Sequence, residues 1–193
     1  MKRLLPLLLL AAPALAAEPP RVLPSSDVTI VYQLSGEASR AVPGGVPGAL
    51  RLSWNAAEQR LRVEPEGRTQ VLLVDLDAPR VEVMDSGLRT AMSLPVRRSD
   101  LQPLTLQGAR FTQRGRATVA GRPCTEYEVQ SARGHGTLCL TADGVTLRAS
   151  GEVNGHAGAF TAISVSYAGV APSQFQVPPG YVQLGIPRTG QPQ

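Results

Sequence analysis

The sequence has 193 residues, 42% of them hydrophobic, and a formal net charge of +4 at pH 7. This length suits one domain with a substantial core, and so small a charge gives no argument for nucleic-acid binding. Two cysteines and two histidines are too few for most zinc sites, and they offer few candidate nucleophiles or bases for a catalytic centre.

The N-terminal segment has the layout of a secretory signal peptide. Residues 1–16, MKRLLPLLLLAAPALA, combine two positive charges, an apolar run and small residues before Ala17. The apolar run is shorter than the about 20 residues that span a bilayer. We therefore predict cleavage after Ala16 and a periplasmic or secreted protein, without a transmembrane segment in the mature chain. Residues 17–24 are then an N-terminal linker.

Alternation of apolar and polar residues predicts strands over most of residues 25–182. Such alternation with one wet face is typical of an antiparallel sheet. TQVLLVD, residues 69–75, is apolar on both faces and is therefore predicted to be central. The alternating segments are DVTIVY (27–32), ALRLSWN (49–55), QRLRVE (59–64), PRVEVMD (79–85) and, last in the chain, GAFTAISVSY (158–167).

Two regions interrupt this pattern. Residues 36–48 are rich in glycine and proline and are predicted to be a loop between the first two strands. Residues 85–110 lack alternation, and Ser86 as a cap predicts one short helix that ends before Pro95 and acts as a plug or lid. We predict about ten strands in a meander and a flexible tail over 183–193.

Later turns are marked by Asp143-Gly144 and Asn154-Gly155. Asp-Gly is a strong signal for a two-residue hairpin, because both positions tolerate positive φ. In that register Leu140 lies opposite Leu147.

Basic residues are concentrated in residues 96–122. Six arginines stand there against one acid, Asp100. Such a segment could contact an anionic membrane surface or an acidic partner, or it could be an ordinary solvated strand face. The arginines are Arg97, Arg98, Arg110, Arg114, Arg116 and Arg122.

No motif for catalysis or metal binding is present. His135 in RGHG and His156 in NGHAG are predicted to be exposed at hairpin tips, and Asp75 and Asp77 to form a turn. We accordingly predict no catalytic residue, no metal and no cofactor.

The two cysteines are predicted to form a disulfide. Export places Cys124 and Cys139 in an oxidising compartment, where an even number of cysteines favours pairing. Strand parity puts both on the polar side of neighbouring strands, with Glu126 and Glu128. Direct opposition needs a tight turn at 131–132, whereas a loop over 131–134 makes the cysteines diagonal neighbours, at a usual separation of about 7–8 Å. The bridge would contribute roughly 3 kcal/mol.

The chain resembles bacterial exported domains of the LolA/LolB-like lipoprotein-carrier class. The resemblance lies in LRLSW, QRLRVE and VLLVDLDAPRVEVM. The C-terminal half, GRPCTEYEV to FQVPPGY, is similar to a domain family of unknown function with that fold. The resemblance implies a half-open antiparallel barrel with a plugged apolar concave face that can hold an acyl chain.

Three functions follow as hypotheses. The first is a binder or carrier of a lipid, lipoprotein or other hydrophobic ligand; the second is an envelope interaction or assembly module with a filled core; the third is an enzyme. For a carrier, Arg97 and Arg98 would meet an anionic headgroup at the rim, and a lid would include Met84, Leu88, Met92 and Leu94. The predicted lining is Tyr32, Leu50, Leu52, Trp54, Leu61, Val63, Val81 and Val83.

Overall fold

The computed structural model describes residues 18–37, 48–153 and 155–185. The predicted signal peptide and most of the loop at 36–48 lie outside these residues. Within the described part, no helix is long and apolar enough to cross a membrane.

The described chain is mainly β, with twelve strands in one sheet. Short 3₁₀ helices span Arg98–Leu101 and Pro172–Phe175, and one turn of α-helix, α1, spans Gln102–Thr105. The strands are β1 (Val28–Gly36), β2 (Ala49–Asn55), β3 (Arg60–Pro65), β4 (Gln70–Asp75), β5 (Arg80–Asp85), β6 (Thr90–Pro95), β7 (Arg110–Val119), β8 (Arg122–Ser131), β9 (Gly134–Leu140), β10 (Thr146–Val153), β11 (His156–Ser166) and β12 (Val182–Leu184).

The strand order is β12-β6-β5-β4-β3-β2-β1-β11-β10-β9-β8-β7. All neighbours are antiparallel except β12 and β6, which are parallel. β1 lies in the middle and joins two meanders, because it pairs with both β2 and β11. No ladder joins the outer strands β7 and β12 in the part of the chain described, so the sheet is a half-open barrel, as predicted. β12 extends to Leu184, two residues beyond the predicted domain boundary.

The concave face carries most of the main core, and strand pairing explains its composition. Val28 lies opposite Trp54, and Trp54 lies opposite Leu61 on the next strand. The apolar members of each alternating segment therefore fall on one face. The buried cluster contains Val28, Ile30, Tyr32, Trp54, Leu61, Val74, Leu76, Leu101, Val119, Cys124, Cys139, Val145, Leu147 and Ala162.

The convex face of β4–β6 carries a second, smaller core. The C-terminal segment covers it with Val177 and Tyr181. This explains why β4 is apolar on both faces: Val74 packs in the main core, whereas Val71 and Leu73 pack under the C-terminal segment. The second core consists of Val71, Leu73, Met84 and Ala91.

The predicted helix after Ser86 is wrong. Thr90–Pro95 is β6, and its Met92 pairs with Val83 of β5. The turn before it is organised by the Asp85 carboxylate, which accepts hydrogen bonds from the backbone N–H groups of Gly87 and Leu88. Within residues 85–110 the helical turns lie later, at 98–105, where Pro103 fits the start of α1.

The predicted hairpin register is correct from Cys139 back to Gly134 and wrong next to the turn. Thr146, not Leu147, lies opposite Leu140, while Cys139 lies opposite Arg148. Leu147 therefore forms a β-bulge in β10, and its side chain is fully buried in the main core. The Thr141 hydroxyl closes the turn by accepting the Val145 N–H, so a five-residue loop replaces the two-residue one.

The predicted disulfide is confirmed. Cys124 and Cys139 are bonded, with their Cα atoms 5.4 Å apart. Their strands have the diagonal register, because Ser131 pairs with Gly134 and Glu126 pairs with Cys139. The Cα separation of these diagonal neighbours is thus smaller than the expected value of about 7–8 Å.

The prediction that both sulfurs lie on a wet face is wrong, since both cysteines are buried in the main core. Glu126 and Glu128, on the same side of β8, are half exposed and pair with arginines. At the other end of the strand that side is covered, because Val119 packs in the same core and Tyr167 stacks with Arg122.

Candidate functional site

The concave face lines a cavity of about 550 Å³ that is partly open to solvent. Its walls are built from alternate residues of the central strands, which the period of two directs to the same side. The apolar wall consists of Ile30 and Tyr32 of β1, Leu50, Leu52 and Trp54 of β2, Leu61 of β3, Leu138 of β9, Ala149 of β10 and Phe160 of β11.

Tyr32 brings a polar atom into this wall without leaving it unpaired. Its hydroxyl donates a hydrogen bond to the Thr146 carbonyl at 2.7 Å. Burial strongly raises the pKa of the phenol, so it stays neutral. Its ring meets Phe160 edge to face, with centroids 4.8 Å apart. The cavity wall therefore remains apolar here.

An N-terminal arm, residues 18–27, closes one end of the cavity. The Trp54 indole donates to the Pro24 carbonyl at 2.9 Å, and the Ser25 N–H donates to the Asp143 carbonyl at 2.9 Å. Gly144 is required beneath the arm, because a Cβ there would lie 2.4 Å from the Leu23 carbonyl oxygen. The segment predicted as a linker is thus part of the site.

A plug, residues 98–106, crosses the open side of the half-barrel. Pro103, Leu104 and Leu106 line the cavity, and Leu101 is buried in the main core. Hydrogen bonds hold the plug on both sides. The Arg98 guanidinium donates to the Leu76 and Asp77 carbonyls, and the Arg133 guanidinium donates to the Ser99 carbonyl at 3.1 Å.

The opposite end of the cavity is polar and lined by backbone. Glu37 and His156 line it with exposed side chains. His135 and Glu152 also border it, but they pair with each other one residue from Gly136 and Gly151, so their side chains lie on the convex face. Both histidines are exposed beside turns, as predicted. Four glycines lie side by side across β1, β11, β10 and β9: Gly36, Gly158, Gly151 and Gly136.

The glycine row lets the strands curl tightly at this mouth. A Cβ on Gly136 would lie 2.3 Å from the Ser150 carbonyl oxygen, and one on Gly151 would lie 2.3 Å from that of His135. Side chains at these positions would therefore force the strands apart.

The structure brings together only some of the predicted ligand-binding residues. Tyr32, Leu52, Trp54 and Leu61 line the cavity, together with Leu50. Val63 and Val81 pack against the main core. Val83 and Met92 pair with each other farther along the sheet, outside the lining.

The remaining predicted residues lie elsewhere. Met84 faces the second core on the convex side, and Leu88 is 74% exposed at the tip of a turn. Arg97 is exposed beside Asp100, and Arg98 holds the plug; neither lines the cavity.

Sequence reasoning missed the arm, the glycine mouth and Phe160. Phe160 shares a strand face with Ala162, so alternation in β11 could have found it. The arm has no periodic signal, and its place depends on the turn at 141–145, which is more than 110 residues away in sequence.

The acidic turn at Asp75 has a structural role. Its carboxylate accepts the N–H groups of Asp77 and Ala78 and pairs with Arg60. Among the described residues, no group of three or more histidine, cysteine or acidic side chains could hold a metal ion.

Comparisons with known proteins identify the fold. No protein-family model and no curated protein sequence matches this chain. Among solved structures, an uncharacterized conserved protein from Thermus thermophilus superposes with a TM-score of 0.56 at 12% identity, over 84% of this chain and 91% of that one. MucB, in complex with MucA(peri), superposes with a TM-score of 0.51 at 15% identity, over 79% of this chain and 54% of MucB.

A third structure, the Mycobacterium tuberculosis lipoprotein LppX, has a TM-score of 0.42 at 15% identity, over 76% of this chain and 88% of LppX. The part of MucB that superposes on this chain is about half the length of MucB. This chain has the LolA-like half-barrel fold, as the sequence predicted.

Proposed function

We propose that this protein is an exported binder of a hydrophobic ligand, such as a lipid or the acyl chain of a lipoprotein, held in the concave cavity. The observation that carries the proposal is the cavity itself. Its volume of about 550 Å³ lies in the range of about 300–1,000 Å³ that is typical of small-molecule sites. Its wall is apolar, and the polar atoms of Tyr32 and Trp54 already have partners.

Affinity in such a site comes from removing methylene groups from water. Each buried methylene contributes about 0.8 kcal/mol. With Tyr32 and Trp54 already bonded within the protein, the apolar wall selects for chain length rather than for a pattern of hydrogen bonds.

Export and a periplasmic location are supported by two features. The disulfide between Cys124 and Cys139 needs an oxidising compartment in most bacteria. Residues 1–16 have the composition of a signal peptide.

The test is native mass spectrometry with lipid extraction after expression in a bacterial periplasm. We expect a co-purifying lipid that Trp54→Arg or Phe160→Arg abolishes. Val182→Arg, on the exposed outer strand β12, is the matched control and should retain the lipid. Circular dichroism establishes that each variant is folded. Repeated recovery of folded, ligand-free wild-type protein would contradict the proposal.

The second candidate is an envelope interaction module that binds a protein partner. β12 favours it, because this outer strand exposes Val182 and Leu184 by 61% and 49%. The MucB structure contains MucA(peri), and this supports the same candidate. Cross-linking in envelope extracts tests it: a partner lost in Val182→Arg but kept in Trp54→Arg would favour interaction over carriage.

The basic outer strand β7 supports contact with an anionic membrane surface. Arg110, Arg114 and Arg116 are exposed along it, and Arg114 pairs with Glu128. We expect Arg110→Gln/Arg116→Gln to weaken sedimentation with anionic vesicles. Unchanged sedimentation would contradict this contact.

We propose binding without catalysis. Hydrolysis of an ester or amide that disappears when His135 or His156 is replaced would instead support an enzyme.

A further inference from the structure

The cavity changes character along the strand direction. Trp54 lies opposite Val28 at the start of β1, whereas Gly36 and Glu37 lie at its end. Eight residues at about 3.3 Å each place these two levels roughly 26 Å apart along the strand. Trp54 and Glu37 therefore mark opposite ends of one cavity.

The Trp54 end is closed and apolar. Leu23 and Pro24 of the arm line this end together with Leu61 and Leu76, and the indole N–H already donates a hydrogen bond to the Pro24 carbonyl. A polar group placed here would lose its water and gain no partner from the indole, which costs several kcal/mol.

The other end is open and polar. Glu37 and His156 are exposed there, and the Oε2 atom of Glu37 lies 3.5 Å from the Nδ1 atom of His156. The glycine row places no side chain across this mouth, so a polar group bound there stays in contact with water.

From this gradient we infer that the ligand is an amphiphile with an extended apolar chain, bound with the chain end against Trp54 and the polar head at the glycine mouth. The chain enters from the mouth, tail first, because the arm seals the other end. This inference rests on the proposed function and adds the class of ligand and its direction.

The only tryptophan of the chain makes the direction measurable. Bromine quenches indole fluorescence at contact. We expect 16-bromohexadecanoic acid, brominated at the chain end, to quench Trp54 at least threefold more than 2-bromohexadecanoic acid at equal occupancy. Occupancy is fixed independently by equilibrium dialysis.

A reporter at the mouth supplies the reciprocal measurement. In Trp54→Phe/His156→Trp the single indole lies at the open end, and the order of quenching should invert. Trp54→Phe/Val153→Trp is a second such reporter, since Val153 also lines the mouth and is 49% exposed.

The possible failures are distinct. Equal quenching, or stronger quenching of Trp54 by the 2-bromo acid, would overturn the direction while leaving cavity binding intact. Dialysis that detects no binding of either acid would overturn both this inference and the proposed function.

Discussion

Single residues in this protein act mainly through the partners that the curled sheet brings to them. Cys124 and Cys139 show this well, because neighbouring positions on the same side of β8 are half exposed while the sulfurs are buried. A face cannot be assigned as wet for a whole strand when residues such as Val119 and Tyr167 cover part of it.

Removing the disulfide should lower stability without abolishing ligand binding. The bridge spans a sequence separation of 15, for which loop closure contributes about 3 kcal/mol. Neither cysteine lines the cavity. We expect Cys124→Ala/Cys139→Ala to reduce the free energy of unfolding by that amount, measured in urea, and to bind the ligand normally below its Tm. Loss of binding by a folded variant would contradict this separation.

Asp85 should contribute stability that depends on pH. The Leu88 N–H, and then the Thr69 side chain and the Gly87 N–H, hold the pKa of this exposed carboxyl below its usual value. A lowered folded-state pKa means that the contribution is present above the unfolded pKa of about 3.9 and is lost as pH falls through the folded value.

Asp85→Ala should therefore lower Tm at pH 7, and the difference from wild type should shrink as pH falls below about 4. Thermal melts across this range measure it, with Glu66→Ala, on the exposed turn after β3, as the control. A difference that is constant with pH would contradict the role of the carboxylate.

At the level of elements, β5 and β6 separate two residues that sequence alone had grouped. Met84 and Met92 were both expected in a lid, yet Met84 is buried on the convex face while Met92 lies on the other face, half buried. The absence of clear alternation in residues 85–95 concealed β6, whose pairing with β5 and β12 outweighs its weak local propensity.

Met84→Ala should cost about 2–5 kcal/mol of stability, the usual range for a buried methionine, while Met92→Ala should cost less. Both should leave ligand affinity unchanged, because neither side chain lines the cavity. Urea unfolding and dye displacement measure the two effects. Equal destabilisation by the two substitutions would show that the two faces are not packed as described.

For the whole molecule, the period of two in ALRLSWN and QRLRVE predicted the antiparallel strands and the β2 and β3 wall of the cavity, because that period is local information. The half-barrel itself was implied by the resemblance to the LolA/LolB-like class. The sequence did not predict how the cavity is closed. Pro24 contacts Trp54, and Arg133 contacts Ser99, because the curled sheet brings distant segments together. Such contacts produce no periodic pattern in the sequence.

Ligand binding should stabilise the whole fold, because the cavity contacts the arm, the plug and both meanders at once. A ligand that binds only the folded chain adds about 2.7 kcal/mol at 100 times its Kd. Saturated fatty acids of ten to sixteen carbons should therefore raise Tm, and at a fixed concentration the rise should grow with chain length until the cavity is full. Trp54→Arg should remove the increase and Val182→Arg should keep it, since Val182 lies on the outer strand. Differential scanning fluorimetry with dialysed, delipidated protein measures the series, and a rise that is independent of chain length would place the ligand outside the cavity.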